Sequence, residues 1–183
     1  MKKVAVIGSV GCPAKYGGFE TLVEQLVIQL QNKFDITVYC SKQAFEKHPA
    51  VIGRTALKYI PLKANGMQSI PYDVWSILDA LRYADTLLIL GVSGCALLPI
   101  LRLLGCRKRL VVNIDGIEWR RAKWSGLARW YLRFAEKCAV RCSDAVIGDN
   151  QVIVDYVEST YQKKCHLIEY GANNRKLSEY EYE

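Results

Sequence analysis

The sequence predicts an α/β chain of the Rossmann-like, doubly wound kind, a parallel sheet of about seven strands with helices on both faces. Two observations carry this expectation. Short apolar runs without strict alternation recur along the chain, as strands buried on both faces require. Between them lie segments with helical apolar spacing, and that strand–helix rhythm implies crossover connections and a parallel sheet. At 183 residues, 51% of them hydrophobic, the chain suffices for one well-packed domain.

Taken in order, "KVAVIG" reads as the first strand and 19–33 as a helix with Leu22, Leu26 and Leu30 four residues apart. "DITVYCS" and "LKYIPL" are the next strands, followed by a helix over 72–83 and the strand "DTLLILG". A helix over 96–104 is closed by Gly105, a residue free to adopt the left-handed turn that ends helices. "RLVVNID" is a strand, and 125–142 a long helix with apolar residues at 127, 128, 131, 134, 135, 138, 139 and 142. "DAVIGD", a helix over 151–161 and "CHLIEYG" complete the pattern. The domain is expected over 1–172. Residues 173–183 ("NNRKLSEYEYE") are read as a loose tail or the start of a linker to a further domain.

Composition excludes several classes. The seven cysteines form no CxxC pair and their number is odd, so they read as reduced, small hydrophobes in a cytoplasmic protein, with no disulfide or zinc framework. "MKKVAVIGSVGC" imitates an export signal, but its apolar core is short and broken by Gly8, which fits a first strand better. The longest uncharged run, 86–101, contains Gly91, Gly94 and Pro99 and is too short to span a bilayer. No metal-binding pattern is present. The net charge of +7 is concentrated in 102–141, where eleven Lys or Arg face three carboxylates, Asp115, Glu118 and Glu136. No nucleic-acid-binding motif accompanies that charge.

In a parallel sheet, ligands sit beyond the C-terminal strand ends. That rule selects four loops, 8–18, 91–95, 115–123 and 148–151. The first, "GSVGCPAKYGG", places four glycines before a helix, so backbone N–H groups and the helix dipole can meet a phosphate. A tight turn without a ligand is the competing reading. The glycine spacing is not GxGxxG, no acidic residue ends the second strand, and no GK[ST] follows, which argues against NAD and against a P-loop. The third loop, "NIDGIEWRRAKW", holds Asp115 and Glu118, able to orient hydroxyls or accept a proton. It also holds Trp119, able to stack on a sugar, and Arg120, Arg121 and Lys123, able to meet phosphates. The alternative is a loop whose acids pair with its own arginines.

These motifs carry a resemblance. "PAKYGGFETLVEQL", "DGIEWRRAKW" and "IEYGAN" resemble the N-terminal domain of GT-B glycosyltransferases of family 4, nearest the rhamnosyltransferase branch used in bacterial surface polysaccharide assembly. The resemblance covers essentially the whole chain. It implies that Gly17 and Gly18 face the donor diphosphate, that Asp115 and Glu118 are catalytic, and that Trp119, Arg120 and Arg121 bind the acceptor. It implies no cofactor, with a nucleotide-diphosphate sugar such as dTDP-rhamnose as co-substrate and a lipid-linked sugar as acceptor. A front-face mechanism follows from it, in which the leaving diphosphate helps deprotonate the acceptor. Family members often carry a histidine in the third loop; here Asp115 stands after "NI", and the only histidines are His48 and His166. The donor half of a GT-B enzyme has no counterpart in this chain, so catalysis is expected to need a C-terminal domain or partner subunit.

Along the long helix, Arg129, Arg133, Lys137 and Arg141 form a ladder four residues apart, on the side opposite the apolar stripe. Such a ladder is either a solvated face or a membrane-surface contact at the inner face of the cell membrane. A second functional reading also stays open, a non-catalytic Rossmann-type module that binds a nucleotide or a partner.

Overall fold

A computed structural model describes residues 1–15, 17–114, 116–121 and 124–169. Asp115, the tail over 173–183 and most of the "IEYGAN" motif lie outside these residues.

The strands are β1 (Lys3–Ile7), β2 (Asp35–Ser41), β3 (Val51–Ile52), β4 (Thr55–Ile60), β5 (Thr86–Leu90), β6 (Arg109–Ile114), β7 (Ala145–Gly148) and β8 (Cys165–Leu167). They form one sheet in the order β3-β4-β2-β1-β5-β6-β7-β8. All pairings are parallel except β3 with β4. The helices are α1 (Gly18–Leu30), α2 (Ser69–Ala80), α3 (Leu98–Leu103), α4 (Gly126–Cys142) and α5 (Gln151–Tyr161). The α/β class and doubly wound parallel sheet are as the sequence predicts, with one correction. An eighth strand, β3, adds an antiparallel edge to β4, Val51 pairing with Ala56 and Ile52 with Thr55. Two residues cannot show a period, so no pattern in the sequence marked this strand.

Alternation along each strand divides the core. Ala5, Ile7, Tyr39, Leu87 and Ile89 face one side, where Tyr72 and Ile77 of α2, Leu98 of α3, Ala139 of α4 and Val157 of α5 cover them. Val6, Val38, Cys40 and Leu90 face the other, against Val23 and Val27 of α1. β1 and β2, covered on both faces, read as continuous apolar runs, whereas Val111 and Ile147 of β6 and β7 line an open apolar groove on the α1 side of the sheet. The seven cysteines are free, five of them buried. Asn150 caps α5 by accepting the Ile153 N–H at 3.0 Å.

The long helix corrects a second expectation. Its buried positions are Leu132, Ala135, Glu136, Cys138, Ala139 and Val140. Leu127, at 80% exposure, and Phe134, at 45%, lie on the surface, although both belong to the predicted apolar stripe. The reason is a carboxylate that the pattern assigned to solvent. Glu136 is fully buried, and its Oε1 accepts the hydroxyls of Tyr156 and Tyr161, each at 2.6 Å. Two partners from α5 offset its desolvation and turn the helix away from the purely apolar solution.

The order of the strands sets the site. Connections from β1 and β5 leave toward opposite edges, so the C-terminal ends of these neighbours form the topological switch point. Gly8 ends β1 with φ +94°, and a Cβ there would collide with the Leu90 carbonyl oxygen of β5. Gly8→Ala is expected to destabilise the fold by about 3 kcal/mol or more. Gly66→Ala, also at positive φ but with open space around it, is expected to cost about 1–2 kcal/mol. Urea midpoints of the two variants check the difference.

Candidate functional site

A cavity of about 170 Å³ opens at the switch point. Its floor is Gly8, Leu90, Gly91 and Ile114, the ends of β1, β5 and β6. Its walls are Phe19 from α1, Val92 and Ser93 after β5, Gly116, Glu118, Arg121 and Trp124 after β6, and 64–66 with Ser69 after β4. Three of the four loops selected from the sequence therefore contribute. The fourth, 148–151, does not line the cavity. The segment 64–69 does and was missed, although the same rule applied to the end of β4 points to it.

Glu118 is held from both sides. Its Oε1 accepts the Trp124 indole N–H at 3.0 Å, and its Oε2 pairs with Arg121 Nε at 2.9 Å. The short 3₁₀ turn Glu118–Arg120 arranges this by bringing Arg121 back over Glu118. The loop's acid thus pairs with the loop's own arginine at the cavity wall. That arrangement fixes a carboxylate oriented for hydrogen bonding and leaves Asp115, outside the described residues, directly after β6. Trp119 and Arg120 turn the other way. Arg120 stacks over Trp119 at 5.1 Å and over Tyr156 at 5.8 Å, so both residues belong to the α4–α5 side of the domain.

The glycine loop is anchored by the helix it precedes. Glu20, buried on α1, accepts the Val10 N–H at 2.9 Å, and Glu24 accepts the Ala14 N–H at 3.1 Å. Gly17, at φ +117°, is where a side chain would collide with Glu20. Gly17 and Gly18 sit exposed at the start of α1 and do not line the cavity; the neighbouring Phe19 does. The two glutamates are residues that sequence reasoning passed over. Their signal is the short distance between a glycine loop and carboxylates in the following first turns, an arrangement that secures loop amides. Burial pushes the Cys12 thiol up to about 11 and Cys40 up to about 12, so neither is a thiolate nucleophile near neutrality.

Behind the cavity wall lies Asp73 of α2, fully buried. Gly94 has no side chain because Asp73 occupies that space. Asp73 Oδ1 has no hydrogen-bond partner among the described residues. Burial raises its pKa well above the usual carboxylate range and outweighs the Gly94 amide and the Ser93 hydroxyl, which favour the charged form. Tyr131 of α4 donates to the Ser93 carbonyl at 2.7 Å, tying the same loop to the long helix. Neither histidine lines the cavity; His48 packs on Tyr59, and His166 lies on β8. No group of three or more metal-capable side chains converges among the described residues.

One groove adjoins this site, and a second meets that groove at Trp130. An apolar one of about 370 Å³ shares Gly66, Ser69 and Trp124 with the cavity and continues along Met67, Ile70, Leu127, Trp130 and Tyr131. A basic one of about 570 Å³ holds Arg133, Lys137 and Arg141 of the ladder together with Trp119 and Arg120. Arg129 does not line it and instead donates to the Trp124 carbonyl at 3.3 Å. No helix among the described residues is long and apolar enough to cross a membrane.

The profile of the family described as "Domain of unknown function (DUF1972)" matches residues 1–173. The chain belongs to the DUF1972 family. No curated protein matches it. Among solved structures, this DUF1972 domain is similar to a sucrose-phosphate synthase from Thermosynechococcus elongatus. The two share 17% identity with a TM-score of 0.62, over 94% of this chain and 91% of that one. It is also similar to the catalytic domain of starch synthase IV from Arabidopsis thaliana, solved with ADP and acarbose. There the identity is 12% and the TM-score 0.66, over 93% of this chain and 51% of that one. The DUF1972 chain thus spans about half of the starch synthase chain, and its fold is the Rossmann-like half of a GT-B architecture.

Asp73 yields a pH prediction. The folded chain keeps a proton that the unfolded chain releases above its ordinary value of 3.8, so stability falls as pH rises from about 4 toward the raised folded value. Asp73→Asn is expected to flatten this decline, and urea midpoints of both proteins between about pH 5 and 8 check it.

Proposed function

We propose that this chain is the acceptor-side domain of a retaining glycosyltransferase. In this reading it moves a sugar, rhamnose by the resemblance stated above, from a nucleotide sugar to a lipid-linked oligosaccharide in bacterial surface polysaccharide synthesis. The observation that carries the reading is the cavity at the switch point, walled by the fixed Glu118 and opening onto the apolar groove. A polar recess continuous with an apolar channel suits an amphiphilic acceptor, sugar in the recess and hydrocarbon in the groove. Exposed Met67, Leu127 and Trp130 at the groove's edge suit contact with a membrane surface.

In this reading Asp115, directly after β6, orients or deprotonates the acceptor hydroxyl. Glu118 holds a neighbouring hydroxyl while Arg121 and Trp124 fix its geometry. Gly17 and Gly18, opening α1, meet the donor diphosphate with the helix dipole behind them. The leaving diphosphate takes part in deprotonation, and the donor's nucleotide is held by a C-terminal domain or partner subunit.

An alkyl glycoside such as octyl glucoside, which has sugar and tail but no phosphate, tests the acceptor site on the chain itself. Saturable binding below its micelle concentration is expected, weakened about tenfold by Leu127→Glu at the exposed groove wall. In a protein that also carries the donor-binding half, Asp115→Asn is expected to lower kcat by at least about 100-fold. Tight nucleotide binding by this chain alone, indifferent to Asp115→Asn, would instead support the binding-module reading.

A further inference from the structure

The basic groove joins residues that the sequence assigned to separate tasks. Arg133, Lys137 and Arg141 form one row on α4, each about 6 Å further along the helix. Arg120 reaches the same groove from the turn after β6. The guanidinium groups of Arg120 and Arg133 both stack on Trp119, at 5.1 and 5.3 Å, so their positions are set before any ligand arrives. None of these four cations forms an ion pair among the described residues. The carboxylate nearest the row in sequence, Glu136, is turned fully inward onto Tyr156 and Tyr161. Even with Glu136 counted, positive charge is in excess by three.

Shape separates this groove from the membrane-surface reading of the ladder. A bilayer surface is flat on this scale and meets side-chain tips, whereas a recess of about 570 Å³ matches the size of small-molecule sites. The ladder member that stays outside, Arg129, is the one held by a backbone carbonyl. Charge then narrows the ligand. A single phosphate monoester carries about −2 and would leave the groove positive, while two linked phosphates match its excess. The tyrosine hydroxyls are already committed to Glu136, so recognition rests on the cations and the aromatic walls.

We propose that the groove between α4 and α5 binds a diphosphate-bearing ligand through Arg120, Arg133, Lys137 and Arg141. The site stands independently of the transfer reading, because it can be filled and measured without donor, acceptor or turnover. Free diphosphate and lipid-borne diphosphate share the chemistry that the groove recognises.

The test is calorimetric titration of the full chain with inorganic pyrophosphate, orthophosphate and farnesyl diphosphate. Sedimentation with phosphatidylglycerol–phosphatidylcholine vesicles runs alongside it. Saturable 1:1 binding of pyrophosphate, tighter than orthophosphate, is expected. The exposed pair Lys137→Gln/Arg141→Gln should weaken it by about tenfold or more, while Arg129→Gln leaves it unchanged. Tighter binding of farnesyl diphosphate assigns the site to a lipid-borne ligand; equal binding assigns it to the diphosphate alone. Absence of saturable pyrophosphate binding overturns the proposal. So does binding that the double variant retains, or vesicle binding lost in the double variant without any pyrophosphate binding. Unchanged circular dichroism of each variant confirms that the comparison is between folded proteins.

Discussion

The architecture depends on the contact between β1 and β5, where two parallel neighbours send their chains in opposite directions. Such a divergence leaves a gap at the strand ends that no connection can cover. Gly8 lets the first strand end against the carbonyl of Leu90, and Gly91, at φ +86°, turns the fifth strand away beside it. Most of what lines the cavity is attached to this pair of exits or to β6 beside them, and the segment after β4 closes the remaining wall.

Carboxylates do much of the positioning around that gap, in three different environments. Glu20 and Glu24 secure the glycine loop by accepting its amides. Glu118 is clamped between an indole and a guanidinium at the cavity wall. Asp73 and Glu136 are buried, one facing the β5 loop and the other a pair of tyrosines. Acids that share a formal charge thus differ in what they can do. Glu118, with both oxygens engaged, is a fixed point, whereas burial favours the neutral form of Asp73.

The fold was largely legible because core strands leave a strong mark, a run of branched apolar residues bounded by glycine or charge. β1, β2, β5 and β6 show it within a residue of their ends. β3 was illegible because two residues carry no period, and it exists through pairing with β4. The face of α4 was misread because period alone cannot foresee Glu136 finding two hydroxyls on a helix that follows later in the chain. The cavity was legible through the strand-end rule at the loops after β1, β5 and β6. It was missed at 64–69, where the wall is built from alanine, asparagine, glycine and serine. The basic groove was out of reach for a different reason. Trp119 and Arg120 lie far from Arg141 in sequence, and their shared surface appears once α4 and α5 pack side by side.

Three of the four tryptophans surround the two candidate binding regions. Trp124 lines the cavity, Trp119 lines the basic groove, and Trp130 lies where the apolar and basic grooves meet. Trp75 sits apart on α2, half exposed beside Leu78. Indole emission depends on local polarity and on nearby cations, so the molecule carries its own optical probes at the places where occupancy would change those surroundings. Phenylalanine at position 75 would strip away the background signal and leave the intrinsic fluorescence of the native chain as a label-free record of both regions.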